Sequence, residues 1–298
     1  MIINRANLAT LNVGFNAAFR SGLDTASASQ WNRLATRVPS STGSEEYAWL
    51  GKVPNVREWI GDRQVQNITA SGYRIKNKDY EVTVGVDRND IEDDNLGIYT
   101  PLMQEMGRSV TAAYDRSVFD LLKAGFATPC YDGQYFFDTD HPVTLADGTT
   151  AIVANTDGGS GAPWFLIDDS RALKPLILQV RKDWTFVSRD QPRDDNVFER
   201  KQFIYGVDGR YNVGFGFWQF AWGSKQPLTA DAYGTARASL SGLKGDYGRP
   251  LGLTPRLLVV PPTLESAGRK LLTSEYGPGG ETNAWCGTAE LLVSPWLA

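Results

Sequence analysis

The chain is poor in the side chains on which many enzymes and metalloproteins depend. Its 298 residues include one histidine, His141, and two cysteines, Cys130 and Cys286. A lone histidine excludes multi-histidine metal centres and weakens any Ser/His/Asp relay. Two cysteines so far apart support neither a disulfide scaffold nor a cysteine-rich zinc site, and they read as ordinary reduced thiols. No stretch approaches the roughly 18 continuous apolar residues of a membrane span, and the first residues lack a charged start followed by an apolar signal core. The expectation is a protein made and kept in a cytoplasm, with no membrane partner. A formal net charge of −4 excludes a strongly basic surface built chiefly to grip nucleic acid.

Apolar content is not lacking. Hydrophobic residues make up 42% of the chain, enough for a real core, with 9 Trp, 12 Tyr and 13 Phe among them. Thirty glycines and 15 prolines punctuate it. That mixture predicts a loop-rich α+β protein with extensive interfaces, since Trp and Tyr give large contact area at low entropic cost.

Residues 1–44 carry Arg5, Arg20, Arg33 and Arg37 against the single acid Asp24. This basic arm either faces a polyanion or is a solvated helix packed on its own domain. Leu8, Leu11, Phe15, Ala18 and Phe19 recur at helical spacing, and a second short helix is expected around 30–37. Tyr80, Val82, Val84 and Val86 alternate with polar residues and glycine, which predicts a strand with one wet face. A partner strand over 64–75, joined by the polar turn Lys76-Asn77-Lys78-Asp79, makes an extended ribbon that needs a surface to lie upon. Residues 101–124 read as one helix, with Thr100 as N-cap and Leu102, Met106, Val110, Ala113 or Tyr114, Ser117 or Val118, and Leu121 along one stripe. That rod is about 36 Å long, a structural spine. A helix is expected over 168–184. The charge-dense run 189–201 is a solvated loop or a subunit-facing polar edge, and β structure resumes over 203–222. Thr229 caps a further helix, Leu257–Val260 is a buried strand, Pro261-Pro262 leads into a helix through Leu264 and Leu271, and a last strand runs over 289–293.

Candidate chemistry is sparse. Asp138, Asp140 and His141 could in principle bind a metal or serve a hydrolase, yet Asp-His-Pro after an aromatic run more simply makes a hydrogen-bonded turn. The acidic run Asp87, Asp90, Glu92, Asp93, Asp94 fails the calcium-loop spacing, because Glu92 stands where that loop needs glycine. Gly158–Gly161 and Gly214–Gly216 lack both the lysine of a phosphate loop and the dinucleotide spacing. No cofactor, metal or catalytic residue is expected.

Several longer stretches carry a resemblance. Val38-Pro-Ser-Ser-Thr-Gly-Ser-Glu-Glu-Tyr47, Gly72-Tyr-Arg-Ile-Lys-Asn-Lys78, Val86-Asp-Arg-Asn-Asp-Ile-Glu-Asp-Asp94, Tyr131-Asp-Gly-Gln-Tyr-Phe-Phe-Asp-Thr-Asp-His-Pro142 and Pro250-Leu-Gly-Leu-Thr-Pro-Arg-Leu-Leu-Val-Val-Pro-Pro262 resemble the Mu-like prophage major head subunit, the gpT family. The resemblance covers nearly the whole chain and implies the Hong Kong 97-type phage capsid fold. It implies an N-terminal arm (1–44), an extended β-hairpin loop (45–95), a peripheral domain with the spine helix (96–144, completed by 266–298) and an axial domain (145–265). The implied function is that of a non-enzymatic major capsid protein. It self-assembles into pentamers and hexamers, in the virion, after assembly in the bacterial host cytoplasm. A scaffold protein, a portal, a decoration protein and non-specifically held packaged DNA are the implied partners. Expected inter-subunit contacts are Lys76, Asn77, Lys78, Asp79, Arg57 and Trp59, and the expected interior arm carries Arg5, Arg20, Arg33 and Arg37. The alternative from another structural class is a tail or tube protein, mostly β and without a spine helix.

Overall fold

The computed structural model describes residues 3–25, 29–47, 50, 72–93, 96–145, 147–277 and 279–298. The amphipathic N-terminal run forms α1, Arg5–Thr25, and buries Leu8, Leu11, Phe15, Ala18 and Phe19 on one face. That face packs along α4, Tyr99–Ala124. The two helices meet backbone to backbone. A Cβ on Gly22 would lie 2.0 Å from the Gln104 carbonyl oxygen, and one on Gly107 would lie 2.3 Å from that of Phe19.

Helix α4 joins two hydrophobic cores formed among the described residues. Met103, Met106 and Val110 enter a smaller core with α1, while Val118, Phe119 and Leu122 enter the main one. The stripe is therefore rotated from the expected one, leaving Leu102 42% exposed and Leu121 half-buried. Thr100 is not the N-cap. A 3₁₀ turn, Leu96–Ile98, runs directly into the helix, so backbone supplies the continuity a capping side chain would otherwise provide. The second short helix, α2, covers only Trp31–Leu34. Its first amides are held by the buried Asp115 of α4, whose Oδ1 accepts from Gln30 N at 2.9 Å and Trp31 N at 2.7 Å. Burial nonetheless raises the Asp115 carboxyl above its ordinary range, against those hydrogen bonds.

One sheet has the strand order β1-β9-β10-β4: β1, Ala35–Pro39; β4, Lys78–Asp87; β9, Leu176–Arg189; β10, Gln202–Phe215. Strand β1 runs parallel to β9, and the other neighbours are antiparallel. The helix expected over 168–184 is thus replaced by the long strand β9. Pro175 stops any helix, and Leu176-Ile177-Leu178-Gln179-Val180 is fully buried between β1 and β10, where pairing and packing override local preference. At the far end of this sheet lie two short helices, α3, Arg88–Glu92, and α5, Asp195–Arg200.

The second sheet is ordered β15-β14-β8-β11-β7: β7, Thr156–Gly159; β8, Trp164–Ile167; β11, Ala221–Lys225; β14, Leu257–Val260; β15, Glu290–Val293. Its central strands are wholly buried, as the unbroken apolar run Leu257–Val260 predicts. Helices α6, Ala230–Ser241, capped by Thr229 as expected, and α7, Glu265–Thr273, belong to this half. Among the described residues there are also three two-stranded pairs: β2, Ser44–Glu46, with β3, Arg74–Lys76; β5, His141–Thr144, with β6, Thr150–Val153; and β12, Lys244–Gly245, with β13, Arg249–Pro250.

Candidate inter-subunit and interior surfaces

The expected ribbon is re-paired. Strand β4 has its predicted wet and dry faces, but its partner is β10, with Val86 opposite Phe203 and Val82 opposite Val207. Strand β3 pairs instead with β2, so Ile75 faces Glu45. Residues 76–79 are therefore not a turn between two strands of one ribbon; they carry the chain from one sheet to another. Period-2 alternation reports which face of a strand is buried and says nothing about which strand lies alongside it. Of the segment expected to pair with β4, residues 64–71 lie outside the described residues, as do Arg57 and Trp59.

Within the 76–79 segment, Asn77 is buried and Lys76, Lys78 and Asp79 are exposed. Asn77 Nδ2 donates to Ser40 Oγ and to the Thr42 carbonyl, both at 2.9 Å, and its Oδ1 accepts from Gln179 Nε2 at 2.7 Å. Gln179 Oε1 in turn accepts from the Tyr47 hydroxyl at 2.8 Å. Beside this network Glu45 Oε1 accepts from Ser41 N at 2.7 Å and from Thr42 N and Ser40 Oγ at 2.9 Å. The Thr42 and Ser40 hydrogen bonds, with that of Ser41, hold its carboxyl down at about 2. The Tyr73 carbonyl accepts from Tyr47 N at 2.9 Å, and Leu50, whose amide donates to the Tyr47 carbonyl at 3.3 Å, is buried in the main core. Residues 40–47 and 73–77 are thus held together by backbone pairing and by buried amide side chains.

The four arginines of the basic arm are not brought together. Arg33 donates through Nε to Asp169 Oδ2 at 2.6 Å and grips both Glu290 oxygens at 3.0 Å, tying α2 to β15. Arg33 lowers the Glu290 carboxyl and is itself raised, chiefly by that bidentate contact. Arg37 pairs with Asp183. Arg5 and Arg20 remain exposed on α1, about 22 Å apart along its axis, with Arg20 Nε donating to Asn16 at 3.2 Å.

The turn-rich 130–142 segment holds a cluster built around its single histidine. His141, fully buried, stacks on Trp218 at 3.9 Å and 10°. Its Nδ1 meets Asp132 Oδ2 at 2.7 Å and its Nε2 meets Asn155 Oδ1 at 3.2 Å. Asn155 cannot be turned round, because its Nδ2 donates to the carbonyls of Phe136, Trp218 and Ala221 while Oδ1 also accepts from Asp138 N. The oxygen must face the ring, so Nε2 is the donor there. Cys130 Sγ donates to Asp132 Oδ1 at 3.0 Å. Cys130, Asp132 and His141 present ligand atoms within 4.8 Å of one another, but they already satisfy each other by hydrogen bonds. Asp138 and Asp140 do not join them. Asp138 accepts from the Tyr135 and Thr139 amides, and Asp140 from Thr139 Oγ1. The cluster locks a turn, and Asn155, its central member, carried no local sequence signal.

A two-sheet body braced by one long helix, with an N-terminal helix laid along the brace, is the architecture of a shell subunit. The comparisons agree. The model of the family described as Mu-like prophage major head subunit gpT matches residues 8–297. The major capsid protein of Escherichia phage Mu is 44% identical over 306 aligned residues, covering 100% of both chains. The Mu-like prophage FluMu major head subunit of Haemophilus influenzae is 47% identical over 272 residues, covering 89% of this chain and 88% of that one. Among solved structures, a chain of the bacteriophage JBD30 procapsid superposes with a TM-score of 0.90 at 45% identity, covering 99% of this chain and 100% of that one. A chain of the JBD30 capsid gives 0.77 at 35% identity, covering 90% and 91%. The fold is that of a phage capsid protein, of the Hong Kong 97 type, and the tail or tube alternative is set aside. The chain belongs to the Mu-like major head subunit family and is a major capsid protein of a Mu-like phage.

Proposed function

We propose that copies of this chain assemble as pentamers and hexamers into an icosahedral shell that encloses phage DNA, and that the chain's role is structural, with no reaction of its own. The observation that carries this reading is the near-complete superposition on a procapsid chain. Assembly takes place in the bacterial host cytoplasm, around a scaffold protein and a portal. Among the described residues no helix is long and apolar enough to cross a membrane, in keeping with that location. A JBD30 capsid is decorated with minor capsid protein trimers, and a comparable decoration protein is proposed here.

Residues 1–44 act as the arm and 45–95 as the extended loop, of which β4 and α3 (78–92) are packed into the body. Residues 96–144 with 266–298 form the peripheral domain, and 145–265 the axial domain. Exposed Lys76, Lys78 and Asp79, with Arg57 and Trp59, contact a neighbouring subunit, while buried Asn77 holds the root of that loop in place. Arg5 and Arg20 supply the interior charge for non-specific contact with DNA, since Arg33 and Arg37 are engaged by carboxylates of their own chain. The test is amine cross-linking of particles assembled from mixed isotopically light and heavy chains. Mixed-isotope cross-links at Lys76 or Lys78 are expected, and cross-links confined to single chains would refute the contact.

A further inference from the structure

We propose that Phe198 is an aromatic anchor through which one copy of the chain docks on another, ringed by Arg193, Asp195, Glu199 and Arg200. The inference rests on the shell-subunit reading and says where copies meet. Strands β9 and β10 form a hairpin whose 14-residue arms each span about 46 Å, and α5 sits at its tip.

That tip is built rather than loose. Asn196 Nδ2 donates to the carbonyls of Arg189 at 3.0 Å and Gln202 at 2.6 Å, which closes the hairpin across the helix. Lys201 ends the helix in the left-handed conformation at φ 53°, its amide bonded to the Val197 carbonyl at 3.2 Å. Val197 is buried in the smaller core with Val86, Ile91 and Phe203. The next residue, Phe198, is turned outward and is 86% exposed, the most exposed large apolar side chain among the described residues. A fixed helix that aims a phenyl ring into water keeps an unfavourable exposure that burial against a partner removes.

The same end of the molecule exposes Ile98 and Leu102 at the start of α4, at 63% and 42%. They are brought there through α3: Tyr99 bonds Asp90, and Arg88 N donates to the Lys201 carbonyl at 2.8 Å. Around Phe198, the exposed Arg193, Asp195, Glu199 and Arg200 enter no salt bridge among the described residues. An apolar centre with an unpaired polar rim is the arrangement of an interface hot spot. Both signs stand within two turns of one helix, so the surface complements another copy of itself and offers little to a polyanion or to a partner of uniform charge. A second copy of this chain is therefore the occupant.

The test uses the full chain assembled into particles. Phe198→Asp is expected to leave the circular dichroism and urea midpoint of the unassembled subunit unchanged while particle yield by sedimentation falls about tenfold or more. In parallel, the photoreactive analogue p-benzoylphenylalanine replaces Phe198 in mixed light and heavy chains. Cross-links to a second copy of the chain are expected. Wild-type yield from Phe198→Asp, or photo-cross-links only within one chain or only to a different protein, would overturn the proposal. A wild-type chain that forms no particles even with its scaffold protein present would overturn the shell reading and the docking site with it.

Discussion

Replacing Gly107 with alanine adds one methyl group where α1 and α4 cross. The new Cβ would sit 2.3 Å from the Phe19 carbonyl oxygen and 2.8 Å from Leu23 N, both backbone atoms of a packed helix that cannot swing aside. Ordinary contact begins near 3.4 Å, so the helices must part by about 1 Å at the crossing. A gap of that size forfeits a quarter to a half of the dispersion energy across the seam, where Phe15, Phe19, Met103 and Met106 lie buried. The expected cost is about 1–3 kcal/mol, the range for overpacking a well-filled interior. Gly14 provides the control on the same helix. It is exposed with nothing within 4 Å of an added Cβ, so Gly14→Ala is expected to gain about 0.5–1 kcal/mol from helix propensity alone. Urea unfolding of the unassembled subunit gives both values as midpoint shifts at constant slope, and hydrogen exchange locates the loosened amides in 5–25. A Gly107→Ala protein at or above wild-type stability would refute the backbone-to-backbone crossing.

Two further outcomes follow from the networks at the candidate surfaces. Asn155→Ala removes a buried partner from the Phe136 and Ala221 carbonyls, the Asp138 amide and His141 Nε2, while the Trp218 carbonyl keeps the Ala221 amide, and at about 1–3 kcal/mol per orphaned group a loss on the order of 3 kcal/mol or more is expected in the same urea assay; a loss under about 1 kcal/mol would mean the network does not hold the turn. Glu45 titrates in the fold at about 2, below its ordinary 4.5, so its contribution is full above pH 4.5 and lost as pH falls toward 2. The Ser41 and Thr42 amide resonances should shift across that window in the wild-type subunit and not in Glu45→Gln, and a wild-type loop insensitive to acid would contradict the assignment.

What could be read from the residues divides along physical lines. Helix α1, the strand Leu257–Val260 and the Thr229 cap were legible because each is fixed by local periodicity or by a side chain bonding its own helix. Strand β9 was not, since 176–180 is strand only by virtue of β1 and β10 on either side of it. The same limit hid the true partners of β3 and β4, because register and pairing are properties of distant segments. Among the candidate surface residues, Lys76 and Lys78 stand exposed as a polar turn would have them, whereas Asn77 between them is drawn inward by Gln179, about a hundred residues away. Arg33 and Arg37 looked free because their carboxylates lie far along the chain. Phe198 carried a readable signal, a lone aromatic inside a dense run of charges, and only its exposure gives that signal meaning.

The central claim is that this body is the repeating unit of a closed container. Electron cryo-microscopy of the chain overexpressed together with its scaffold protein tests it directly. Closed shells with fivefold and sixfold clusters of subunits, each fitted by the body braced on α4, are the predicted result. A solution of single, compact molecules that never associates would contradict it.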